Sequence, residues 1–331
     1  FILNLKDFSM KNNYLFLAFT FLLCSSTFIQ AQNAALEFNN LLVNEQNLVS
    51  AKNLEYVSYS VHSEDFAIVE QKRLDVVKQI DESFKTISKK EAPEEVAKMK
   101  EEVLEVLKMY KNIFTLDFVE VNELKQNKES SYVAMENYFK AQDAAEKKLS
   151  KASERFGKAQ ERFAKKMDLK LEAQEEDIKQ AKELAVIGEV YSYTRQVFLI
   201  QFKASKADAE FMDGLSAKKS ASYLDNKRNK LEDIAGEAIK ALKNTKGFKG
   251  DTKYKNSALE LVKFYEEMAK KNYDDMVQLT RLQAKNPKKL SRDEVDKYND
   301  LVNSYNESIA IYNKKMQELT LKFNEEKDKL L

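Results

Sequence analysis

Past about residue 34, apolar side chains recur at three- and four-residue intervals, the rhythm of a helix that buries one stripe. The last segment shows it most clearly. Val295, Val302, Ile309, Met316 and Phe323 fall every seven residues, and Tyr298, Tyr305, Tyr312 and Leu319 sit three after the first four. Such unbroken 3-4 spacing keeps a seam turned toward its neighbours in a left-handed bundle. Ser291-Arg-Asp-Glu294 ahead of it is a capping box, and Asn286-Pro287 closes the element before. An earlier segment repeats the rhythm. Met135, Gln142, Leu149, Phe156 and Phe163 are spaced by seven, with Tyr138, Ala145, Ala152 and Ala159 three further on. Small residues at one seam position let helices approach closely, and Gln142 is a polar intrusion of the kind that fixes register.

Read this way, the chain predicts eight helices in two sets of four: 35–62, 65–89, 94–126 and 130–167, then 172–214, 217–244, 251–285 and 291–330. The joints carry helix-ending chemistry. Gly214 suits a left-handed terminus and Ser216 the next cap. Ser63 and Glu64-Asp65 suit a helix start, and Pro93 the first helical position. Gly247-Phe-Lys-Gly250 reads as a loop, with Asp251 or Thr252 capping the next helix.

The two sets are related to one another. Tyr138 answers Tyr298 and Phe163 answers Phe323 at an offset of 160. Upstream the offset is 155: Lys72-Arg73 answers Lys227-Arg228, while Leu104-Glu105, Lys108 and Tyr110 answer Leu259-Glu260, Lys263 and Tyr265, and Leu124 answers Leu279. Five extra residues near Asn286-Pro287 account for the change. Fixed-offset similarity is the mark of repeated units. The expected architecture is all-α: two elongated, tandem antiparallel four-helix bundles from an internal duplication, over residues 32–170 and 171–331.

Composition narrows the function classes. The 331 residues include 6 Gly, 2 Pro, 1 Cys, 1 His and no Trp. So few turn formers do not build a sandwich, barrel or doubly wound sheet. One Cys makes no internal disulfide, and one His builds no multi-histidine metal centre. The 55 basic and 54 acidic side chains nearly balance, which argues against a dedicated nucleic-acid binder.

Residues 1–31 read as upstream sequence plus a signal peptide. Met10-Lys11 is a charged start, Tyr14 to Cys24 a short apolar run, and Ser25-Ser26-Thr27 a small polar stretch. Phe1 to Ser9 read as translated upstream residues. Cleavage is expected after Ala31, before Gln32, so no membrane span is expected in the mature chain; the run is short of the roughly 20 residues a span needs. Acylation at Cys24 is the disfavoured route, because Leu22-Leu23 precede the cysteine where small residues are preferred. Loss of Lys6, Lys11 and Asp7 leaves 53 basic against 53 acidic side chains.

Candidate chemistry is sparse. His62, in Ser60-Val-His-Ser-Glu64, has no second His, no Cys partner and no Glu-x-x-His pattern, and reads as a helix-end residue. Val197-Phe-Leu-Ile200 with Phe202 is a dense apolar patch bracketed by Arg195 and Lys203, and reads as a buried bundle helix rather than a membrane-inserting element. Gly247-Phe-Lys-Gly-Asp251 lacks the Gly-Lys-Ser/Thr of a phosphate loop. Tyr298, Tyr305 and Tyr312 form one stripe, a candidate ligand or interaction surface set against a core seam. No catalytic residue, metal ligand or cofactor is expected, and the chain reads as a non-enzyme.

Several stretches carry a resemblance. Val43-Asn-Glu-Gln46, Gly188-Glu-Val-Tyr-Ser-Tyr-Thr-Arg-Gln-Val-Phe-Leu-Ile-Gln-Phe-Lys203, Phe248-Lys-Gly-Asp251, Val295-Asp-Lys-Tyr-Asn299 and Asn303-Ser-Tyr-Asn306 resemble a family of exported surface proteins of Bacteroidetes-type bacteria and leptospires. The likeness covers most of the mature chain. It implies an all-helical envelope protein and assigns no activity and no functional residues. The expectation is therefore an exported, noncatalytic protein of the periplasm or cell surface that binds an envelope or host protein or glycan, or is structural. The rivals are a small-ligand or lipid-binding bundle and a helical pore-former. The heptads fit pairing within one chain or between copies.

Overall fold

The computed structural model describes the backbone of residues 21–23, 30–63, 65–169, 171–173 and 175–330, and side chains within these except at 21–23, 30–32, 61–62, 171–173, 175–185 and 187. The signal features at Met10, Tyr14 and Cys24 lie outside the described residues, as do the side chains of Ala31 and His62.

The fold is all-α. The helices are α1 (Gln30–His62), α2 (Phe66–Lys89), α3 (Glu94–Asn112), α4 (Phe118–Asn127), α5 (Tyr132–Lys166), α6 (Glu175–Ser216), α7 (Ala221–Asn244), α8 (Lys253–Lys270), α9 (Asn272–Gln283) and α10 (Arg292–Asp328). Apart from them, β1 (Phe21–Leu23) pairs antiparallel with β2 (Leu171–Ala173), a three-residue ladder whose first strand lies in residues read from sequence as the apolar run of a leader. The chain divides into two compact units, residues 1–130 with 134–189, and 131–133 with 190–331.

In each unit consecutive rods run antiparallel, as their polar pairs show. In the first, Lys72 meets Glu55 while Ser83 reaches the Glu45 carbonyl. Lys111 meets Asp81 while Lys100 reaches the Ser88 carbonyl. Lys148 meets Asp117 while Arg162 meets Glu102. In the second, Lys227 meets Glu210 while Lys203 meets Glu237. Asn272 meets Ser308 while Lys322 meets Glu260. The ion pairs among them lie at the surface or partly exposed and fix little energy individually. The stripes beneath them do the stabilising, since each apolar side chain fully removed from water contributes about 1.5–3 kcal/mol.

Both third rods, expected as single helices, are interrupted. A π-helical turn, Ile113–Asp117, separates α3 from α4, and the Phe118 amide donates to the Ile113 carbonyl five residues back. In the second unit Lys271 leaves helical geometry, with φ −120° and ψ −75°, and separates α8 from α9. A change of ladder register turns backbone carbonyls away from their usual donors. An arginine answers in each case. Arg73 donates to the Phe114 carbonyl at 2.5 Å, and Arg228 to the Ala269 carbonyl at 3.4 Å. Each arginine is also paired with the acid three residues earlier, Glu70 or Asp225.

Those arginines and carbonyls are 155 apart, and so are other contacts. The Lys72–Glu55 pair corresponds to Lys227–Glu210; Glu55 is held below its usual range first by the Lys52 hydrogen bond and then by that of Lys72, and Glu210 first by that of Lys227. Lys100 reaches the Lys90 carbonyl and Lys255 the Thr245 carbonyl, both at 2.7 Å, closing α2 and α7 alike. For the last rods the offset is 160. Lys148–Asp117 corresponds to Ser308–Asn272, and Arg155 against the Met109 sulfur to Lys315 over the Phe264 ring.

Several joints differ from expectation by a turn. Gly214 does not end its helix. It lies within α6, where a Cβ would stand 2.6 Å from the Tyr223 ring, so close packing explains the glycine. The left-handed residue is Lys218, φ 50°, and Ser220 rather than Ser216 caps α7. Pro93 is the residue before α3 rather than its first helical residue. Asp65 caps α2 through the Ala67 and Ile68 amides, Asp251 accepts from the Lys253 amide, and the Ser291–Glu294 capping box forms as the sequence predicts. The α5 seam is buried at Met135, Leu149, Phe156 and Phe163, whereas on α10 Val295 is exposed and most of the seam is half-buried.

Arg73→Met removes the donor to the Phe114 carbonyl at the π turn and leaves Glu70 without its cation. It is expected to cost about 2–3 kcal/mol, against about 1 kcal/mol for Ser291→Ala at the exposed capping box. Urea unfolding of the two variants beside the parent reads the difference, and equal losses would refute the role given to Arg73.

Candidate functional site

On α6, Val197, Ala204 and Phe211 recur every seven residues, and Gln201, Asp208 and Leu215 fill the other seam position. An aspartate thus stands on a core stripe. It is 3% exposed, and among the described residues it is the one buried acid. Burial of a carboxylate demands hydrogen-bond donors. Two tyrosines supply them. Tyr273 of α9 donates to Asp208 Oδ1 and Tyr312 of α10 to Oδ2, each at 2.6 Å. Short O–H···O⁻ bonds of this kind are charge-assisted and strong. Tyr273 stacks on Phe211 with ring centroids 4.1 Å apart, and Tyr312 lies 6.2 Å from the Phe264 ring. One carboxylate therefore ties three helices of the second unit together.

Burial pushes the Asp208 carboxyl up to about 6, with the two hydroxyl donors opposing the shift. The same burial, together with the negative carboxylate, raises the Tyr273 and Tyr312 hydroxyls, so both remain protonated donors at neutral pH. Tyr265 of α8 is likewise raised by burial, then by Asp208.

The three tyrosines expected to share a surface divide among different contacts. Tyr312 turns into the core and binds Asp208. Tyr305 packs against the main apolar core of the second unit and a smaller cluster of Leu279, Leu282 and Leu301, and Tyr298 packs against the smaller cluster alone. The Val197–Phe202 patch is core: Val197 and Phe202 are buried, and Phe198 stacks on Phe202. His62 is the last residue of α1. The Gly247–Asp251 loop is a turn in which Gly250 takes φ +93°. Among the described residues no group of three or more His, Cys, Asp or Glu is placed to hold a metal ion, and no helix is long and apolar enough to cross a membrane.

Asp208 was legible in principle, because an acid at a seam position breaks the apolar heptad just as Gln142 does. Its tyrosine partners were not, since they lie 65 and 104 residues away. The chain matches no family model, no curated protein and no solved structure.

With its folded value raised above the ordinary 3.8, Asp208 holds its proton in the folded state while the unfolded chain has lost it. Its contribution to stability is therefore full below about pH 4 and declines as pH rises to about 6, by on the order of 3 kcal/mol in all. Paired glutamates such as Glu70 act in the opposite direction. The observable is thus the difference between parent and Asp208→Asn. In urea midpoints, Asp208→Asn should gain relative to the parent between pH 4 and 7, and parallel pH profiles would remove Asp208 as the source.

Proposed function

We propose that this chain is an exported, noncatalytic protein of the bacterial envelope that acts by presenting rigid helix faces to a protein, glycan or envelope component. In this reading it consists of two tandem four-helix bundles derived by duplication of one unit. Matched polar contacts at constant offsets favour duplication, because helical low complexity reproduces residue types by chance but not the same donor, acceptor and partner helix in both halves.

The observation that carries the export part is the leader pattern: Met10-Lys11, the apolar run to Cys24, and Ala31 before Gln32. The resemblance to exported surface proteins points the same way. The noncatalytic part draws support from how the interior polar groups of the second unit are spent. Asp208 is engaged by two structural tyrosines, with Phe211 stacked on Tyr273 and Tyr265 close enough to feel its charge. A general acid or base needs access to substrate, and this carboxylate is enclosed by its own side chains.

The packing of Tyr305, Phe198 and Ile200 against the apolar core weighs against a ligand cavity at that place. The outward faces carry lysine–glutamate pairs such as Lys270–Glu266 and Lys322–Glu260, which suit a solvated, charge-balanced surface.

Fractionation of cells that express the full chain, with protease shaving of intact cells and mass spectrometry of the N-terminus, tests the reading. The expected product begins at Gln32, lies outside the cytoplasm and is cleaved by added protease. A cytoplasmic product that retains Met10 would refute export, and protection in intact cells would refute surface display.

A further inference from the structure

The correspondence between the units fails at a buried polar position on the first helix of each. Asp208 corresponds to Asn53 at the 155 offset, and each lies on its helix seam, Asn53 among Leu42, Gln46, Val49 and Tyr56. The two tyrosines that hold Asp208 correspond to Phe118 and Ala152, neither of which has a hydroxyl. The register of Ala152 is fixed on both sides. Lys148 meets Asp117 as Ser308 meets Asn272, and Arg155 meets Met109 as Lys315 meets Phe264. The residue between them on α5 therefore holds the place that Tyr312 holds on α10.

Asn53 is 1% exposed, and both amide atoms, Oδ1 and Nδ2, have no hydrogen-bond partner among the described residues. A primary amide offers two donors and two acceptor lone pairs, and a buried amide left with none of them used is rare in a native interior. Phe118 packs edge-on to Tyr56, 5.3 Å between centroids, and the Tyr56 hydroxyl is spent on Asn122. Ala152 is fully buried. Phe114, larger than its counterpart Ala269, lies against Tyr56 and Phe118 on the side of the rod that Arg73 grips, while the α5-facing side at Met109 is smaller than its counterpart Phe264.

We propose that the first unit contains an interior binding site at Asn53 for a neutral hydroxyl group, carried by a small phenol or by water, in the position that the Tyr312 side chain occupies in the second unit. The hydroxyl donates to Asn53 Oδ1, and its oxygen accepts from Nδ2. The ring of a phenol lies beside Phe118 and over Ala152. An uncharged amide suits such a guest better than a carboxylate, because it both donates and accepts and needs no counter-charge. The site belongs to the interior and is independent of the surface role proposed above.

The probe is p-cresol, the tyrosine side chain as a free molecule, with toluene as the analogue that lacks the hydroxyl. Binding to the full chain is followed by NMR shifts and by thermal unfolding, in the parent, Ala152→Tyr and Asn53→Leu. The expected result is saturable p-cresol binding that raises the unfolding temperature, toluene weaker by ~tenfold or more, abolition of binding in Ala152→Tyr without loss of stability, and loss of the cresol-over-toluene preference in Asn53→Leu. If Ala152→Tyr is as stable as the parent or more so while p-cresol does not bind, the hydroxyl is that of water, and the site stands with water as its occupant. If Ala152→Tyr is destabilised and p-cresol does not bind, the space is closed and the proposal fails. Equal binding of p-cresol and toluene in the parent would also overturn it, since the amide would then play no part.

Discussion

Every rod in this protein is held by a seam that meets its neighbours at seven-residue intervals, and a polar group placed on such a seam loses stability unless it finds a partner inside. That constraint acts in both units. It is met by Tyr273 and Tyr312 around Asp208, by Gln46 against the Tyr110 hydroxyl, and by Tyr56 on Asn122. Such bonds add about 1 kcal/mol each when made and cost more when one side is removed. They therefore set which helices lie together and in what register.

The arginines at the interrupted rods follow the same logic on the backbone. A π turn or a helix break exposes a carbonyl where the ladder changes step. In both units the second helix supplies a guanidinium that binds this carbonyl and a nearby acid at once. The break and the arginine make sense as one device, because either alone leaves a buried group unsatisfied.

The two units share this frame and differ in what they put at its centre. One centre is a carboxylate held by two phenols. The other is an amide beside a phenylalanine and an alanine. Asp208 ties three rods through two phenol hydroxyls, and burial opposes its ionisation, so the centre contributes less to stability as pH rises toward about 6. Asn53 does not titrate in this range. The same scaffold thus carries a pH-dependent centre in one half and a pH-independent one in the other.

The sequence by itself determined the helical class, the spans of most rods to within a few residues, the capping box at Ser291 and the correspondence of Lys72-Arg73 with Lys227-Arg228. These are local matters, set by period, caps and fixed offsets along one chain. It marked Tyr312 as notable but grouped it with Tyr298 and Tyr305, because spacing along a helix gives a shared stripe and not the depth at which each side chain ends. The π turn and the break at Lys271 were hidden, since the apolar rhythm continues across both. Tertiary structure alone decided that Gly214 lies inside a helix against Tyr223, that Tyr312 meets Asp208 across 104 residues of chain, and that Asn53 has no such partner among the described residues. A long-range hydrogen bond depends on where two helices lie in space, and no local pattern specifies that.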